Sequence, residues 1–379
     1  MQKKLLTAAV AGVLAAPISA MAAVTVYGTI DTGIRMQTDA ITTTGDESVL
    51  LITDGTRTTN RWGLRGSEDL GGGLKANFNL EGQYGSDTGA LGSSPATGSG
   101  PTLVGTTGSA NVNQGLFQRK AIVGLSGGNW SVDLGRDYTL NFKTQGVYDP
   151  MSYTYTGITP TAGNNVAGTR HSNLITAGFR FGTGGIRLDY SMGEQAGDNS
   201  NQSAYGINGD FVFGNFTVVA AFTTRSATTV ALGDVDQDTL NIGGVYKMGA
   251  WTFRLGYSTS EYSATGLDVD TPMIVAGVQY GFSPTLNGRF GYYTMDFNDN
   301  TNTVQGGSRD WIIFALDYIL SKSTTLYAAI DINNMDGNSI TVNGNTGAIT
   351  VGTGGTGSVL GINSRDGATG FTVGIAHAF

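Results

Sequence analysis

The chain has 379 residues, no cysteine and a formal net charge of −8 at pH 7, and only 13% of its residues are charged. An acidic chain without a basic run is a poor nucleic-acid binder, and the lack of cysteine excludes a disulfide scaffold. Hydrophobic residues make up 40% of the chain, which argues against a disordered protein.

The first residues have the pattern of a secretory signal. Two lysines precede an apolar stretch over residues 5–18, and the small residues Ala20 and Ala22 follow as a cleavage site. We predict that residues 1–22 are a cleaved signal peptide and that residues 23–379 form the exported protein. A membrane anchor is the alternative, but it requires roughly 20 apolar residues and this stretch is shorter.

The exported part shows a succession of β-strand patterns and no convincing helix. In KANFNLEGQY, residues 75–84, apolar and polar side chains alternate with the period of two that is typical of a strand. Short glycine-rich or polar links join such segments in pairs and are typical of hairpin turns. The seven links occupy residues 68–73, 126–129, 182–185, 214–215, 248–250, 283–284 and 321–322.

Seven hairpins supply fourteen strands, and the segments VTVYGTIDTGI, from Val24, and FTVGIAHAF, ending at Phe379, bring the number to sixteen. Longer polar connections separate the hairpins. They span residues 37–59, 86–115, 137–169, 195–203, 226–237, 262–270, 298–308 and 334–367. Short turns at one end and long loops at the other are typical of outer-membrane barrels, whose strands cross the bilayer in about 9–11 residues. We therefore predict an all-β fold, a 16-stranded antiparallel transmembrane β-barrel with short periplasmic turns and long extracellular loops.

The lipid-facing side of the strands follows from residue type. In WIIFALDYIL, residues 311–320, one alternate row is entirely apolar and is assigned to lipid, whereas the other row contains Asp317. Trp311 and Ile313 in the second row weaken this contrast. A soluble sandwich is the alternative, but it would expose its polar face to bulk water and carry more charge there.

The same alternation places Ile375, His377 and Phe379 on the lipid side of the last strand. A barrel has no free edge only if its last strand pairs with its first, so we predict that this strand is ordered to its end.

The inward rows of the second to fourth strands carry charge. Trp62 and Leu64 take the lipid side of the second strand, which turns the alternate residues inward. The predicted inward charges are Arg61, Arg65, Lys75 and Glu81, with Arg119 added if Ile122 faces lipid. Cations opposed by carboxylates in a lumen produce a transverse field that sorts solutes by charge. Solvated lumen charges without a selective role are the alternative.

An enzyme has almost no candidate residues in this chain. Only His171 and His377 could serve as a catalytic base or a histidine metal ligand, and no cysteine is present. We assign a structural role to both histidines and predict no catalysis, no metal site and no cofactor. A secreted adhesin or β-solenoid would show a fixed short repeat, which the sequence lacks.

Several segments resemble a known family. VTVYGTIDTGI, RWGLRGSEDLGGGLKANFNLE at 61–81, FQRKAIVGLSGGNWSVDLGR at 117–136 and the closing AHAF are similar to the general porins of Gram-negative outer membranes, particularly the proteobacterial branch related to neisserial porins. The resemblance covers essentially the whole exported chain. It implies a homotrimer in the outer membrane, a third loop folded into the lumen, and passive diffusion of small hydrophilic solutes and ions.

The resemblance also implies partners and site residues. The expected partners are outer-membrane lipid, lipopolysaccharide and the assembly machinery, which would read the last strand and its Phe379. Arg61 and Arg119 match the basic cluster of the family, Glu81 matches a lumen carboxylate, and Arg170 at the start of the sixth strand joins them.

The third loop departs from the enterobacterial pattern, because Asp149 is its only carboxylate between residues 141 and 169. We expect Asp149 to line the lumen opposite the arginines. With so thin an acidic wall, we expect a porin with weak to moderate anion preference. A substrate-specific outer-membrane channel or an adhesin-like barrel is the alternative.

Overall fold

The computed structural model describes residues 24–41, 45–91, 115–160, 168–229, 233–301, 306–337, 339–342, 349–352, 357–359, 362–364 and 367–379. The predicted signal peptide, residues 1–22, lies outside the described residues. The helix α1 (Leu140–Tyr148) belongs to the connection between the fifth and sixth barrel strands. Within the described ranges, no helix has both the length and the hydropathy to cross a membrane.

Sixteen strands, each hydrogen-bonded to two antiparallel neighbours, form one closed barrel, which confirms the predicted number and order. They are β1 Thr25–Ile41, β2 Arg61–Gly71, β3 Leu74–Gln83, β4 Lys120–Gly127, β5 Trp130–Tyr138, β6 Arg170–Phe181, β7 Gly184–Ser191, β8 Ala204–Phe213, β9 Phe216–Thr229, β10 Gly233–Met248, β11 Trp251–Ala264, β12 Met273–Ser283, β13 Leu286–Asp299, β14 Gly307–Ile319, β15 Thr324–Gly337 and β16 Gly367–Ala378. Shorter strands in the connections are Asp46–Asp54, Leu267–Asp270, Ser339–Val342, Ile349–Gly352, Gly357–Val359 and Ile362–Ser364.

The first and last strands close the barrel. Their register starts with Thr29 opposite Ala378 and continues over nine residue pairs. Phe379 extends this ladder, because its N–H donates to the Gly28 carbonyl at 3.1 Å and its carbonyl accepts from the Gly28 N–H at 3.0 Å. The last strand is therefore ordered to its end, and its backbone leaves no free edge there.

Side chains alternate between an apolar outer surface and the lumen. On β14, Phe314, Leu316 and Tyr318 are each 50% exposed, whereas Ala315 and Asp317 between them are buried. Exposed large apolar side chains occur on strands throughout the barrel. An apolar surface that extends over the barrel is stable against lipid rather than water. The predicted assignment of faces is confirmed on this strand.

The last strand follows the same rule. Ile375 and Phe379 are exposed on the outer surface, and His377 is exposed in the same row. The His377 Nδ1 atom lies 2.9 Å from the Thr324 hydroxyl on β15. His171, by contrast, is fully buried, so the two histidines of the chain lie in different environments.

The two ends of the barrel differ in the length of their connections. At one end, all seven predicted hairpin turns are present, and glycines with positive φ, such as Gly214 at 57° and Gly249 at 59°, allow two-residue links. At the other end, the connection predicted for residues 226–237 is shorter than expected. The reason is that β9 and β10 pair as far as Thr229 opposite Gly233.

Candidate constriction site

The connection between β5 and β6 folds back into the barrel, and we term residues 139–160 of this connection the lumen loop. Thr139 caps α1, since its hydroxyl accepts from the Phe142 N–H at 3.3 Å. The Asn141 amide donates to the Thr239 carbonyl at 2.6 Å, and the Tyr148 hydroxyl donates to Asn241 Oδ1 at 2.7 Å. Both acceptors belong to buried residues of β10, so α1 lies against the inner wall.

Glycines in the wall make room for this contact. A Cβ atom on Gly243 of β10 or Gly256 of β11 would overlap the Tyr148 ring, which lies against both strands. On β13, a Cβ atom on Gly291 would lie 2.8 Å from the Met151 Cε atom. The wall is therefore shaped to accept the loop, because each of these positions tolerates a close neighbour only without a side chain.

An apolar patch of the wall also packs against the lumen loop. Met151 and Tyr155 of the lumen loop are fully buried. They belong to one cluster with the wall residues Met273, Val275, Tyr293, Met295, Trp311 and Ile313. The inward Trp311 and Ile313, which obscure the alternation in the sequence, are thus explained by burial beneath the loop rather than by contact with water.

Asp149 differs from the expectation that it lines the lumen opposite the arginines. It is fully buried where the loop leaves α1, and its carboxylate accepts from the Tyr293 hydroxyl and the Tyr153 N–H, both at 2.9 Å. Burial raises the pKa of Asp149 to about 6, against the opposite effect of these hydrogen bonds. The carboxylate stabilises the loop and presents no charge to the water of the channel.

Glu81 on β3 is shared by two arginines. Arg119 Nε lies 2.6 Å from Oε1, and Arg61 Nε lies 3.7 Å from Oε2. The Tyr27 hydroxyl on β1 donates to Oε2 at 3.0 Å. The Arg61 side chain is 30% exposed and that of Arg119 is 6% exposed, so Arg61 is the cation of this group that ions in the lumen can reach.

The side chain of Arg119 points toward Glu81 for a different reason from the one expected. Strand alternation directs Arg119 inward only if Ile122 faces lipid, but Val123 and Leu125 are the residues exposed on the outer surface, and Ile122 lies on the other face. Arg119 precedes β4, and its N–H donates to the Glu81 carbonyl at 3.1 Å. This irregular backbone, rather than strand periodicity, directs its side chain.

Arg170, the first residue of β6, joins the group through Tyr138. Its Nη2 atom donates to the Tyr138 hydroxyl at 2.6 Å, and its guanidinium carbon lies 4.1 Å from the ring centroid. Arg119 donates to the same hydroxyl. The Tyr138 ring stacks on Phe142 of α1 at 4.9 Å, which places the group beside the lumen loop. The predicted residues brought together are Arg61, Glu81, Arg119 and Arg170.

A second group forms around Asp137 on β5. Its carboxylate lies 3.2 Å from Lys120 Nζ on β4 and 2.8 Å from Lys143 Nζ on α1. The two lysine side chains are 25% and 34% exposed, whereas that of Asp137 is 6% exposed. Lys143 therefore adds a water-facing positive charge on the lumen loop itself.

A third group forms around Asp317 on β14. Arg57 Nε lies 2.7 Å from Oδ1, Arg289 Nε lies 3.2 Å from Oδ2, and the Tyr155 hydroxyl donates to Oδ1 at 2.9 Å. Burial disfavours the charged form of Arg57, but the hydrogen bond and charge of Asp317 raise its pKa above the ordinary value. Arg57 stays charged, and its side chain is 20% exposed against 3% for Asp317.

The three groups share one charge ratio. Six cations contact three carboxylates, and Arg170 adds a seventh cation to the first group through Tyr138, which leaves an excess of four positive charges within these groups. In each group the most exposed side chain is a cation. Among the side chains of these three groups, the charge that faces water beside the lumen loop is therefore positive, although the whole chain is acidic.

The remaining two predicted charges lie apart from these groups. Lys75 is exposed on the same face of β3 as Glu81, but six residues away, which corresponds to about 20 Å along a strand. The Arg65 guanidinium lies 5.0 Å from the centroid of the Tyr27 ring, four residues beyond Arg61 on β2. Both are lumen charges nearer the short turns.

Sequence reasoning missed most members of the second and third groups. Asp317 carried a signal, since it interrupts the inward row of β14. Arg57 precedes β2 and Lys143 lies in a helix, so strand alternation does not apply to either. Among the residues that the structure describes, no set of three or more histidine or acidic side chains is arranged to hold a metal ion.

Comparison with known proteins agrees with this architecture. Residues 6–338 match the profile of the family described as Gram-negative porin. The chain is 32% identical over 292 residues to outer membrane porin protein 32 of Delftia acidovorans, a match that covers 74% of this chain and 66% of that protein.

Solved structures resemble the barrel over nearly its whole length. The anion-selective porin from Comamonas acidovorans superposes with a TM-score of 0.73 at 25% identity, covering 95% of this chain and 100% of that one. OmpT of Vibrio cholerae in its trimer form gives a TM-score of 0.68 at 14% identity, covering 94% and 99%, and this likeness concerns the fold alone.

Proposed function

The chain belongs to the Gram-negative porins, and on that premise we propose that it forms a water-filled outer-membrane channel for passive diffusion of small hydrophilic solutes and ions, with weak to moderate preference for anions. The apolar outer surface of the closed barrel supports a location in the membrane. The lumen loop, seated on the inner wall, narrows the channel and brings solutes close to the charged groups.

The ratio of six cations to three carboxylates in the ion pairs beside the lumen loop is the observation that supports the anion preference. An anion that passes the loop meets Arg61, Lys143 and Arg57 at their water-facing sides, whereas the matching carboxylates are withdrawn behind them. In the narrow, low-dielectric surroundings of a protein wall, such an excess raises the local concentration of the oppositely charged ion.

The net charge of the whole chain does not oppose this proposal. Asp198, for example, lies in the connection between β7 and β8 and is exposed to bulk water. Charges there are screened beyond roughly 8 Å at physiological salt, which is short compared with the length of a barrel strand. Local charge at the lumen loop therefore has the larger effect on an ion in transit. The anion-selective relative of the same fold supports the same direction.

We further propose that the barrel acts as a homotrimer surrounded by lipid and lipopolysaccharide, and that the assembly machinery reads its last strand, with Ile375, His377 and Phe379. The trimer form of OmpT supports the first part through its fold only. We propose no enzymatic activity, in keeping with the channel function of the family. Conductance steps in multiples of three from single insertions support the trimer, and independent single steps contradict it.

Reversal potential across a tenfold KCl gradient in a planar bilayer tests the channel and its preference together. Purified protein should give stepwise conductance and a reversal potential whose sign corresponds to chloride permeating faster than potassium. A cation-selective channel would contradict the anion preference. Conductance that saturates with one solute would favour a substrate-specific channel instead.

A further inference from the structure

Two side-chain bridges cross the inner face of the last strand. In the first, Arg35 on β1 contacts Asp331 on β15 with two parallel hydrogen bonds, Nη1 to Oδ1 at 2.6 Å and Nη2 to Oδ2 at 2.8 Å. Both side chains are fully buried. Arg35 also donates to Gln37 Oε1 at 3.1 Å and to the hydroxyl of Thr372 on β16 at 3.2 Å.

The second bridge joins the same two strands nearer the short turns. The hydroxyl of Tyr327 on β15 donates to Asp31 Oδ1 on β1 at 2.7 Å. The other oxygen of Asp31 accepts from the N–H groups of Arg57 and Thr58 at 2.7 and 2.6 Å. Because β16 lies between β1 and β15, each bridge must pass over it.

Two glycines of β16 make these crossings possible. A Cβ atom on Gly370 would overlap the Arg35 guanidinium, and one on Gly374 would overlap the Tyr327 phenol. The other inward positions of β16, Ala368, Thr372 and Ala376, all carry a Cβ atom. The inner face of the last strand therefore has two openings, four residues apart, and a bridge passes through each.

We propose that these bridges select the register in which the last strand closes the barrel. The pair β1 and β16 joins the two ends of the barrel sequence, and each bridge connects residues 296 positions apart. Other neighbouring strands are close in sequence, and short turns set the register of seven of those pairs. Closure is the pairing that most needs a register signal of its own.

Only the native register opens both crossings. A slip of one residue turns the inward row of β16 to lipid, which alternation already disfavours. A slip of two residues keeps the faces but brings Thr372 or a neighbouring alanine under each bridge. A slip of four residues can place one glycine under a bridge, but it leaves the other bridge blocked. Blocking the first bridge separates Arg35 from Asp331 and deprives two buried charges of their ion-pair partner, which is strongly unfavourable. Blocking the second bridge removes the Tyr327 hydrogen bond from the buried carboxylate of Asp31.

The second bridge also couples closure to the lumen loop. The Tyr327 ring packs edge-on against Tyr155 at a centroid distance of 5.7 Å. Tyr155 in turn donates to Asp317, and its N–H donates to the Arg57 carbonyl. The end of the lumen loop is therefore supported by a bridge that forms only when β15, β16 and β1 are aligned.

Engineered cysteine pairs report the register directly, because the chain has no cysteine of its own. Ile34→Cys with Val373→Cys joins residues that are opposite in the native register, whereas Ile34→Cys with Ile375→Cys is offset by two. Oxidative cross-linking of the assembled barrel should give the native product almost alone. Adding Gly370→Ala and Gly374→Ala should raise the offset product relative to the native one by about tenfold, since both bridges are then blocked.

Gly209→Ala is the matched control, because the nearest atom to a Cβ atom there is 3.9 Å away. An offset product no higher in the double glycine variant than in this control would overturn the proposal. If the glycine variants yield no barrel, the same cross-linking is measured on Tyr327→Phe after refolding in detergent. This variant keeps the ring and removes one bridge. An offset product above that of the parent pair supports the proposal, and one at the parent level overturns it.

Discussion

The Tyr293 hydroxyl on β13 donates a hydrogen bond of 2.9 Å to the buried carboxylate of Asp149 in the lumen loop. The same carboxylate accepts from the Tyr153 N–H, so it joins the wall, the end of α1 and the following turn at one point. Arg254 on β11 and Arg289 on β13 favour its charged form, whereas burial opposes that form more strongly. The position of the loop therefore depends on a carboxyl group that is easily protonated.

Acidification should stabilise the lumen loop at Asp149. Its pKa is raised by burial from 3.8 to about 6, so the folded loop binds the proton more tightly than the unfolded chain does. Ionising the buried Asp149 carboxyl group lowers the stability of the folded loop. This loss of stability is absent below about pH 4, grows between pH 4 and 6, and is complete above pH 6. We expect greater hydrogen-exchange protection of residues 149–155 at pH 5 than at pH 7, after correction for intrinsic rates. Asp149→Asn should remove this difference, and an unchanged difference in that variant would contradict the assignment.

Adding a methyl group to the wall should narrow the channel. Gly243→Ala places a Cβ atom in the volume of the Tyr148 ring, so the ring and the end of α1 must move away from the wall and toward the lumen. We expect lower single-channel conductance in this variant than in the parent protein. Gly209→Ala adds the same methyl group where its nearest neighbour is 3.9 Å away, and it should conduct as the parent does. Equal conductance in the Gly243 variant would show that the loop does not set the channel width.

Removing Phe379 should weaken barrel closure more than truncating its side chain. Deletion removes both backbone hydrogen bonds with Gly28, whereas Phe379→Ala keeps them and removes only the ring that lies against Gly28. Losing both bonds should cost about 1–3 kcal/mol of stability at the closing edge. We expect the yield of assembled, heat-resistant protein in membranes to fall in the order parent, Phe379→Ala, deletion. Equal yields from the deletion and the parent would contradict this account of the last strand.

The number of strands, their faces and the short turns could be predicted because each depends on local properties. Period-two alternation and turn glycines are visible within ten residues, as in the segment 75–84. The lumen loop could not be placed in this way, because its contacts join distant parts of the chain. Arg57 and Asp317, for example, are 260 residues apart. The resemblance to a family implied that the loop enters the lumen. The separate expectation that Asp149 faces the arginines across the lumen was wrong, because that carboxylate is fully buried.

The candidate site was predictable where regular strands carry it and unpredictable elsewhere. Arg61 and Glu81 follow the alternation of β2 and β3, and both lie in one charge group. Arg119 lies before its strand and Lys143 lies on a helix, so the side-chain direction of neither follows from a period of two. Burial was equally hidden, since sequence alone does not show that Arg119 is covered while Arg61 remains accessible.

Exposure should rank the arginines in their effect on ion preference. Arg61→Ala removes a side chain that is 30% exposed and leaves Glu81 paired with Arg119, whereas Arg119→Ala removes one that is 6% exposed and leaves Glu81 with the more distant Arg61. A unit charge a few ångströms from a permeating ion changes its energy by about 0.5–1 kcal/mol in water-like surroundings, which alters the permeability of that ion by about two- to fivefold. The effect has opposite sign for chloride and potassium, so each removal should lower the chloride-to-potassium permeability ratio by at least about twofold. We expect the larger reduction for Arg61→Ala, and a similar one for Arg57→Ala. Lys75→Ala, about 20 Å along the strand from Glu81, is the control and should change the ratio least because of screening.

Reversal potentials across a tenfold KCl gradient measure the permeability ratio of all four variants. A shift in Lys75→Ala as large as that in Arg61→Ala would show that the charge groups beside the lumen loop do not control selectivity.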